Sequence, residues 1–331
     1  MTSLPVGATA RQAYAFAIRG FLRNLAIVWL SEVLFAALVV VSLPLLLGAL
    51  AHGLRGVSSA HPNLLVLAAG GTVFMRYAML IAVAGLFFRA QMMTGLTQRA
   101  LGQRTGYAGV YLSFGASFWR VFGAYVVIFL LLTAVQIAAT LLLVLPAVAL
   151  VAVGHGTAGT GASPDLGIAM VTFFVLWRIA LFVVVTYLFI RLSFVVTAVI
   201  VAEQRFDLIR PWRLVEGNVL RIFALGLALF VPFVLVFIIV YVLVLGGEIW
   251  TLAHTLAQAQ AHGRQFAADL LTQTARAIHG LLVRRWFLLL PLGLITATLG
   301  YGLAAGAGVS GYQSLVSGAD KADAARLSAV S

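Results

Sequence analysis

Six apolar stretches, each long enough to cross a bilayer as a helix, dominate the 331-residue chain. A hydrocarbon core about 30 Å thick is spanned by about 20 mostly apolar residues. Leu25–Ala51, Leu64–Phe88, Val121–Val153, Leu166–Ala202, Val219–Leu245 and Trp286–Val309 all meet that length. The first begins too late and runs too long for a secretory signal peptide, and no small-residue cleavage site follows it. Hydrophobic residues make up 63% of the chain and charged residues 9%, against about 45–50% and about 25% in soluble domains. The expected fold is therefore an all-α integral membrane protein with six transmembrane helices arranged as three hairpins. Disorder is excluded by the same figures. The absence of cysteine excludes a disulfide scaffold, cysteine-based zinc sites and iron–sulfur clusters.

The fourth stretch is longer than one crossing requires. Its 37 residues would form a helix of roughly 55 Å. Neither piece around Arg191 spans a bilayer alone, so a single crossing is expected, either strongly tilted or partly at the interface.

Net charge is +12, and Lys321 is the only lysine. In a soluble chain this charge would point to nucleic acid. Here it alternates with membrane-length apolar segments, so the expected partner is the anionic headgroup layer, with no nucleic acid. Cytoplasmic loops carry an excess of Arg and Lys. Fourteen basic residues, including Arg23, Arg89, Arg120, Arg191, Arg210, Arg213 and Arg221, fall on one side of a six-span topology. Five, including Arg285, fall on the other, while Arg76 and Arg178 interrupt apolar segments. Both termini are thus expected in the cytoplasm. The Arg-rich, Lys-poor composition points to a bacterial inner membrane.

The chain also repeats internally. Phe21-Leu22-Arg23-Asn24-Leu25, Phe118-Trp119-Arg120-Val121-Phe122 and Val219-Leu220-Arg221-Ile222-Phe223 each lead into an odd-numbered span. An amphipathic stretch precedes each one. In the first, Arg11, Ala15, Arg19 and Arg23 recur every fourth residue along one helical face. In the second, Tyr107, Val110, Tyr111, Phe114 and Phe118 form an apolar stripe, and the third follows Pro211 and Trp212 with Leu214, Val215 and Val219. In the even-numbered spans Arg76 precedes Arg89 by 13 residues, as Arg178 precedes Arg191, and Arg285 and Thr298 hold the matching places. The implied unit is a cytoplasmic-side amphipathic interfacial helix followed by a transmembrane hairpin, over roughly 8–104, 105–205 and 206–312. Together these form one membrane domain over 1–312, and 313–331 is expected to be a flexible cytoplasmic tail.

Arg191-Leu192-Ser193, Glu203 to Phe206, Trp212-Arg213-Leu214 and Gly217 to Phe223 form a pattern around the fourth and fifth spans. It resembles the membrane portion attached to some bacterial glycerophosphodiester phosphodiesterases and the related stand-alone YciC-type six-helix proteins. Pro211 stands where that pattern has a small residue. The resemblance implies a membrane fold without an assigned reaction. No stretch offers the carboxylates and histidines of the phosphodiesterase's catalytic barrel.

Glu32 is the sharpest single candidate, a carboxylate about eight residues into the first span, where it is costly unless paired or protonated. It has two readings: a partner of Arg191 or Arg89 on a proton or substrate pathway, or a structural ion pair near the interface. Arg76, Arg178 and Arg285, with Arg89 and Arg191 about 20 Å along their helices, either snorkel toward lipid phosphates or ring an anion-accepting cavity. Snorkelling is the favoured reading. Arg23, Arg120, Arg210, Arg213 and Arg221 are the candidate headgroup contacts.

The histidines, His52, His61, His155, His254, His262 and His279, all fall on the Arg-poor side without metal-ligand spacing, so solvated loop residues are expected and no metal. Glu248–Arg285 is expected to continue the fifth and sixth helices as a helical hairpin. Gly302-x-x-x-Gly306 and Ala304-x-x-x-Gly308 offer small faces for close helix packing.

No Gly-x-Ser-x-Gly, Walker A or dinucleotide fingerprint is present. The expected function is therefore non-enzymatic, without cofactor: a lipid-interacting or scaffold protein of the envelope, with a membrane-protein partner or a second copy as further partners. The alternative is a small-molecule or lipid transporter using Glu32 and the intramembrane arginines. A lipid-headgroup enzyme using the histidines is the least favoured.

Overall fold

The computed structural model describes residues 3–58, 64–104, 109–156, 164–259 and 279–330. Among them the helices are α1 (Val6–Arg19), α2 (Phe21–Ser58), α3 (Leu64–Ala100), α4 (Ala116–Gly156), α5 (Pro164–Ser193), α6 (Val196–Glu203), α7 (Ile209–Val215), α8 (Val219–Ala259) and α9 (Trp286–Val330). A short helical stretch over 279–284 precedes α9, and no strand occurs among the described residues. Without water to bond, backbone N–H and C=O groups must be satisfied within the segment, which a helix does and an isolated strand does not. Six helical segments are long and apolar enough to cross a membrane: Phe21–His52, Ala69–Ala100, Ala116–Leu143, Thr172–Glu203, Val219–Gly247 and Trp286–Ser317. The chain is an all-α, multi-pass membrane protein.

Both buried clusters lie at the Arg-rich end of the bundle. One joins Ile27 and Val28 of α2, Met92 and Leu96 of α3, Phe118 and Val121 of α4, and Val196 and Ile200 of α6. The other joins Ala13 and Ala17 of α1, Val199 of α6, Leu225 and Leu229 of α8, and Leu303 and Ala307 of α9. The far halves of the long helices instead expose apolar side chains such as Leu142, Leu176, Leu243 and Trp250. Lipid tails solvate such residues as well as a protein interior does.

Glycines set the closest approaches. α2 and α3 run antiparallel, with Gly85 against Phe35 and Gly95 against Ile27; a Cβ on Gly95 would stand 2.7 Å from Ile27 Cγ2. The small face of α9 receives α1: a Cβ on Gly302 would lie 3.3 Å from Ala17, and one on Gly306 would lie 3.0 Å from Ala13 Cα. The segment from Leu4 through α1 and the part of α9 from Leu303 to Leu315 therefore sit at the same end of the bundle. Leu4 N–H donates to Asn218 Oδ1 at 3.0 Å, tying the N-terminal segment to the start of α8.

The structure departs from the sequence reading in three places. The long fourth stretch is not one continuous helix: it breaks at Phe194–Val195, after which α6 is buried along most of its length. The second amphipathic stretch is not a helix, because residues 109–115 are irregular and α4 begins at Ala116. There the Gln91 carboxamide, oriented to donate to Ser113 O at 2.9 Å and accept from Ser113 N at 2.6 Å, occupies the backbone groups a helix would use. Tyr111 and Phe118 of the stripe are nonetheless fully buried. Finally, 313–330 are helical as the end of α9, and Leu315 is buried in the cluster with Leu4. Of the hairpin expected between Glu248 and Arg285, α8 extends to Ala259, while 260–278 lie outside the described residues.

α1 and α7 are helices within the first and third amphipathic stretches. α7 accommodates Pro211 in its first turn, where a missing N–H is harmless. Asp207 Oδ1 accepts from Ile209 N at 2.8 Å and Arg210 N at 3.0 Å, satisfying two amides at the helix start.

Candidate functional site

Two adjoining cavities lie among the long helices. A chamber of about 470 Å³ is lined by Glu32 of α2, Arg89 and Met93 of α3, Phe230 and Tyr241 of α8, and Gly293, Thr296, Ala297, Gly300, Tyr301 and Ala304 of α9. A cleft of about 630 Å³ is lined chiefly by apolar residues of α5 and α8, among them Phe189, Ile190, Leu225, Val231 and Leu235. Arg89, Met93, Phe230 and Ala304 line both. Arg89 thus stands where the two spaces meet, the first carrying the larger share of polar lining. Its guanidinium carbon lies 5.4 Å from the centre of the Tyr125 ring, which also lines the cleft.

Helical periodicity explains the chamber. Gly293, Ala297, Gly300 and Ala304 recur at steps of four, three and four, so small side chains occupy one face of α9 and leave the space open. Thr296 and Tyr301 flank that face, and Tyr301 lies within electrostatic reach of Glu32, Arg89 and Tyr125. The four-three-four spacing is legible in the sequence, but its pairing with Glu32, Arg89 and Tyr241 is a matter of tertiary placement.

The structure brings Glu32 and Arg89 to one chamber and leaves the other candidate arginines apart. Arg76 and Arg178 are exposed on the outside of their helices, and Arg285 is half-buried at the start of α9. Arg191 is buried and engaged elsewhere. Its guanidinium carbon stands 3.9 Å over the Trp212 ring and 5.6 Å from that of Tyr187. Nη1 donates to Tyr187 Oη at 2.9 Å and Nη2 to Trp212 O at 3.4 Å, while Nε is buried without a partner.

The candidate headgroup residues divide likewise. Arg23, Arg213 and Arg221 are exposed at the Arg-rich end. Arg120 donates to Gln204 Oε1 at 3.4 Å. Arg210 is held by Glu203 at 2.7 Å, and Arg205 reaches Glu203 at 2.7 Å and Asp207 at 3.5 Å. Tyr312 Oη donates to Glu203 Oε1 at 3.3 Å, joining α9 to this cluster. The Arg210 backbone N–H holds the Asp207 carboxyl below the usual carboxylate range, and the Glu203 carboxylate raises the Arg210 guanidinium further. Between α3 and α4, burial raises the Tyr111 phenol, over whose ring Arg104 stands at 4.4 Å.

The patterned residues around the fourth and fifth spans hold this end together. Arg191 stacks on Trp212, Gly217 adopts a left-handed φ of 76° that favours glycine, and Asn218 receives the Leu4 amide. A second clamp, unforeseen from sequence, joins the α1–α2 corner to α3: Arg99 donates to Gly20 O at 3.0 Å and to Asn24 Oδ1. Among the described residues no three histidine or acidic side chains come together as a metal site. His61 and His262 lie outside the described residues.

Comparison with family models, with curated proteins and with solved structures gave no match.

Proposed function

We propose that the chain is a non-enzymatic, lipid-interacting protein of a bacterial inner membrane, taking up a membrane phospholipid between its helices. One observation carries the reading: an apolar cleft between span-forming helices shares an arginine with a neighbouring chamber that also holds Glu32. A guanidinium matches a phosphate in charge and in hydrogen-bond geometry. An acyl chain is the partner that a cleft lined by Phe189, Leu225 and Leu235 accepts without leaving polar groups unpaired. Exposed Arg23, Arg213 and Arg221 add attraction for anionic headgroups at the Arg-rich end, which we place in the cytoplasm together with both termini. The clustering of Arg191, Trp212, Gly217 and Asn218 is compatible with a YciC-like family, in which these positions would have a structural role.

Native mass spectrometry of the full chain, released from membranes in mild detergent, tests this reading. Wild type should retain phospholipid, and Arg89→Gln should lose about ten-fold or more of it, the scale of one charge-assisted hydrogen bond. Retention unchanged by Arg89→Gln would refute the lipid reading.

The chamber favours a second reading, a transporter. Glu32, Arg89, Tyr241, Thr296 and Tyr301 give a polar lining among membrane-length helices. Solute flux into proteoliposomes that is abolished by Glu32→Gln would establish it, and absence of flux would dismiss it.

A further inference from the structure

We infer that chamber and cleft form one site for a phospholipid with a zwitterionic, ammonium-bearing headgroup. The phosphate sits on Arg89, the ammonium faces Glu32 and an acyl chain follows α5 and α8. This rests on the lipid reading above and adds the class of headgroup.

The argument is one of charge balance. The chamber presents one acid, Glu32, and one base, Arg89, with neutral hydroxyls from Tyr241, Thr296 and Tyr301. A lone anion drawn to Arg89 meets the Glu32 carboxylate, and a lone cation meets the guanidinium. Such repulsion disfavours a ligand of one charge sign and so sets selectivity. A phosphate joined to an ammonium satisfies both groups at once, and the hydroxyls supply further donors and acceptors to its remaining oxygens. The space of about 470 Å³ falls within the range of small-molecule sites, about 300–1,000 Å³. The glycerol backbone then lies beside Arg89, where chamber and cleft meet. The α5–α8 side of the cleft leads the chain toward exposed residues such as Val234 and Leu235.

The test offers the full-length protein equal amounts of phosphatidylethanolamine and phosphatidylglycerol in mixed micelles and reads the bound ratio by native mass spectrometry. Wild type should favour phosphatidylethanolamine by about ten-fold. Glu32→Gln should abolish or invert that preference while total bound lipid persists. Phosphatidylethanolamine N-acetylated on its amine, offered to wild type, should lose the preference without any change to the protein, which keeps the test independent of how the variant folds. Equal retention of the capped lipid, or a wild-type preference for phosphatidylglycerol, overturns the zwitterion assignment and leaves the lipid reading intact. Failure of wild type to hold any lipid removes that reading itself.

Discussion

Replacing Arg191 by Lys keeps the positive charge and removes the planar stack on Trp212. The guanidinium is buried, 3.9 Å over the indole, and its Nη1 reaches Tyr187 Oη at 2.9 Å. A desolvated cation–π contact contributes about 2 kcal/mol, and a hydrogen bond from a charged donor about 1.5–3 kcal/mol. A lysine ammonium recovers part of the second and little of the first, so the substitution should destabilise by about 2–3 kcal/mol. Removing the ring instead, by Trp212→Leu, isolates the stack. The double variant should then show a coupling of about 2 kcal/mol, roughly a thirty-fold effect on the unfolding constant. The assay is reversible unfolding in mixed micelles with increasing denaturing detergent, followed by tryptophan fluorescence on wild type, both single variants and the double variant. A coupling below about 0.5 kcal/mol, the level seen for independent sites, would refute the stacked clamp and return Arg191 to the lipid-facing arginines.

Three further outcomes follow from the packing. Gly306→Leu should destabilise by about 1–3 kcal/mol, because even a Cβ there stands 3.0 Å from Ala13 Cα of α1; thermal unfolding in detergent reads the loss. Asn218→Ala should weaken the attachment of the N-terminal segment by about 1–2 kcal/mol, and protease cleavage near Leu4, whose amide loses its acceptor, should accelerate. Asp207 has a folded pKa below its unfolded value, so its contribution is complete above the ordinary carboxylate range of about 4 and is lost as pH falls through the lowered pKa. Asp207→Asn should flatten that acid limb of the stability profile, measured as thermal midpoint against pH.

The spans were legible because hydropathy and length are local properties. The break at Phe194–Val195 was not, because apolar residues lie on both sides and the change from crossing to buried helix depends on what α6 packs against. The stripe of Tyr111 and Phe118 correctly signalled burial, but an apolar stripe says nothing of backbone when a side chain such as Gln91 supplies the hydrogen bonds. The 13-residue arginine spacing was visible, yet it carried no shared role: Arg89 faces cavities, Arg191 an indole. The sequence offered Arg191 and Arg89 alike as neighbours of Glu32, and helix packing puts Arg89 on the cavity that Glu32 lines. Tyr241 and Tyr301 entered the chamber through helix packing alone.

Concentrating the interlocked side chains at one end gives α4 and α5 the mechanics of a cantilever. The root of each, near Phe118 and Val121 of α4 and Leu192 of α5, is fixed by protein contacts. The far part, near Leu142 of α4 and Phe173 and Leu176 of α5, is bounded by whatever solvent surrounds it. Tolerance to substitution should follow the same gradient, strict at the roots and permissive at the tips for any residue that oil dissolves.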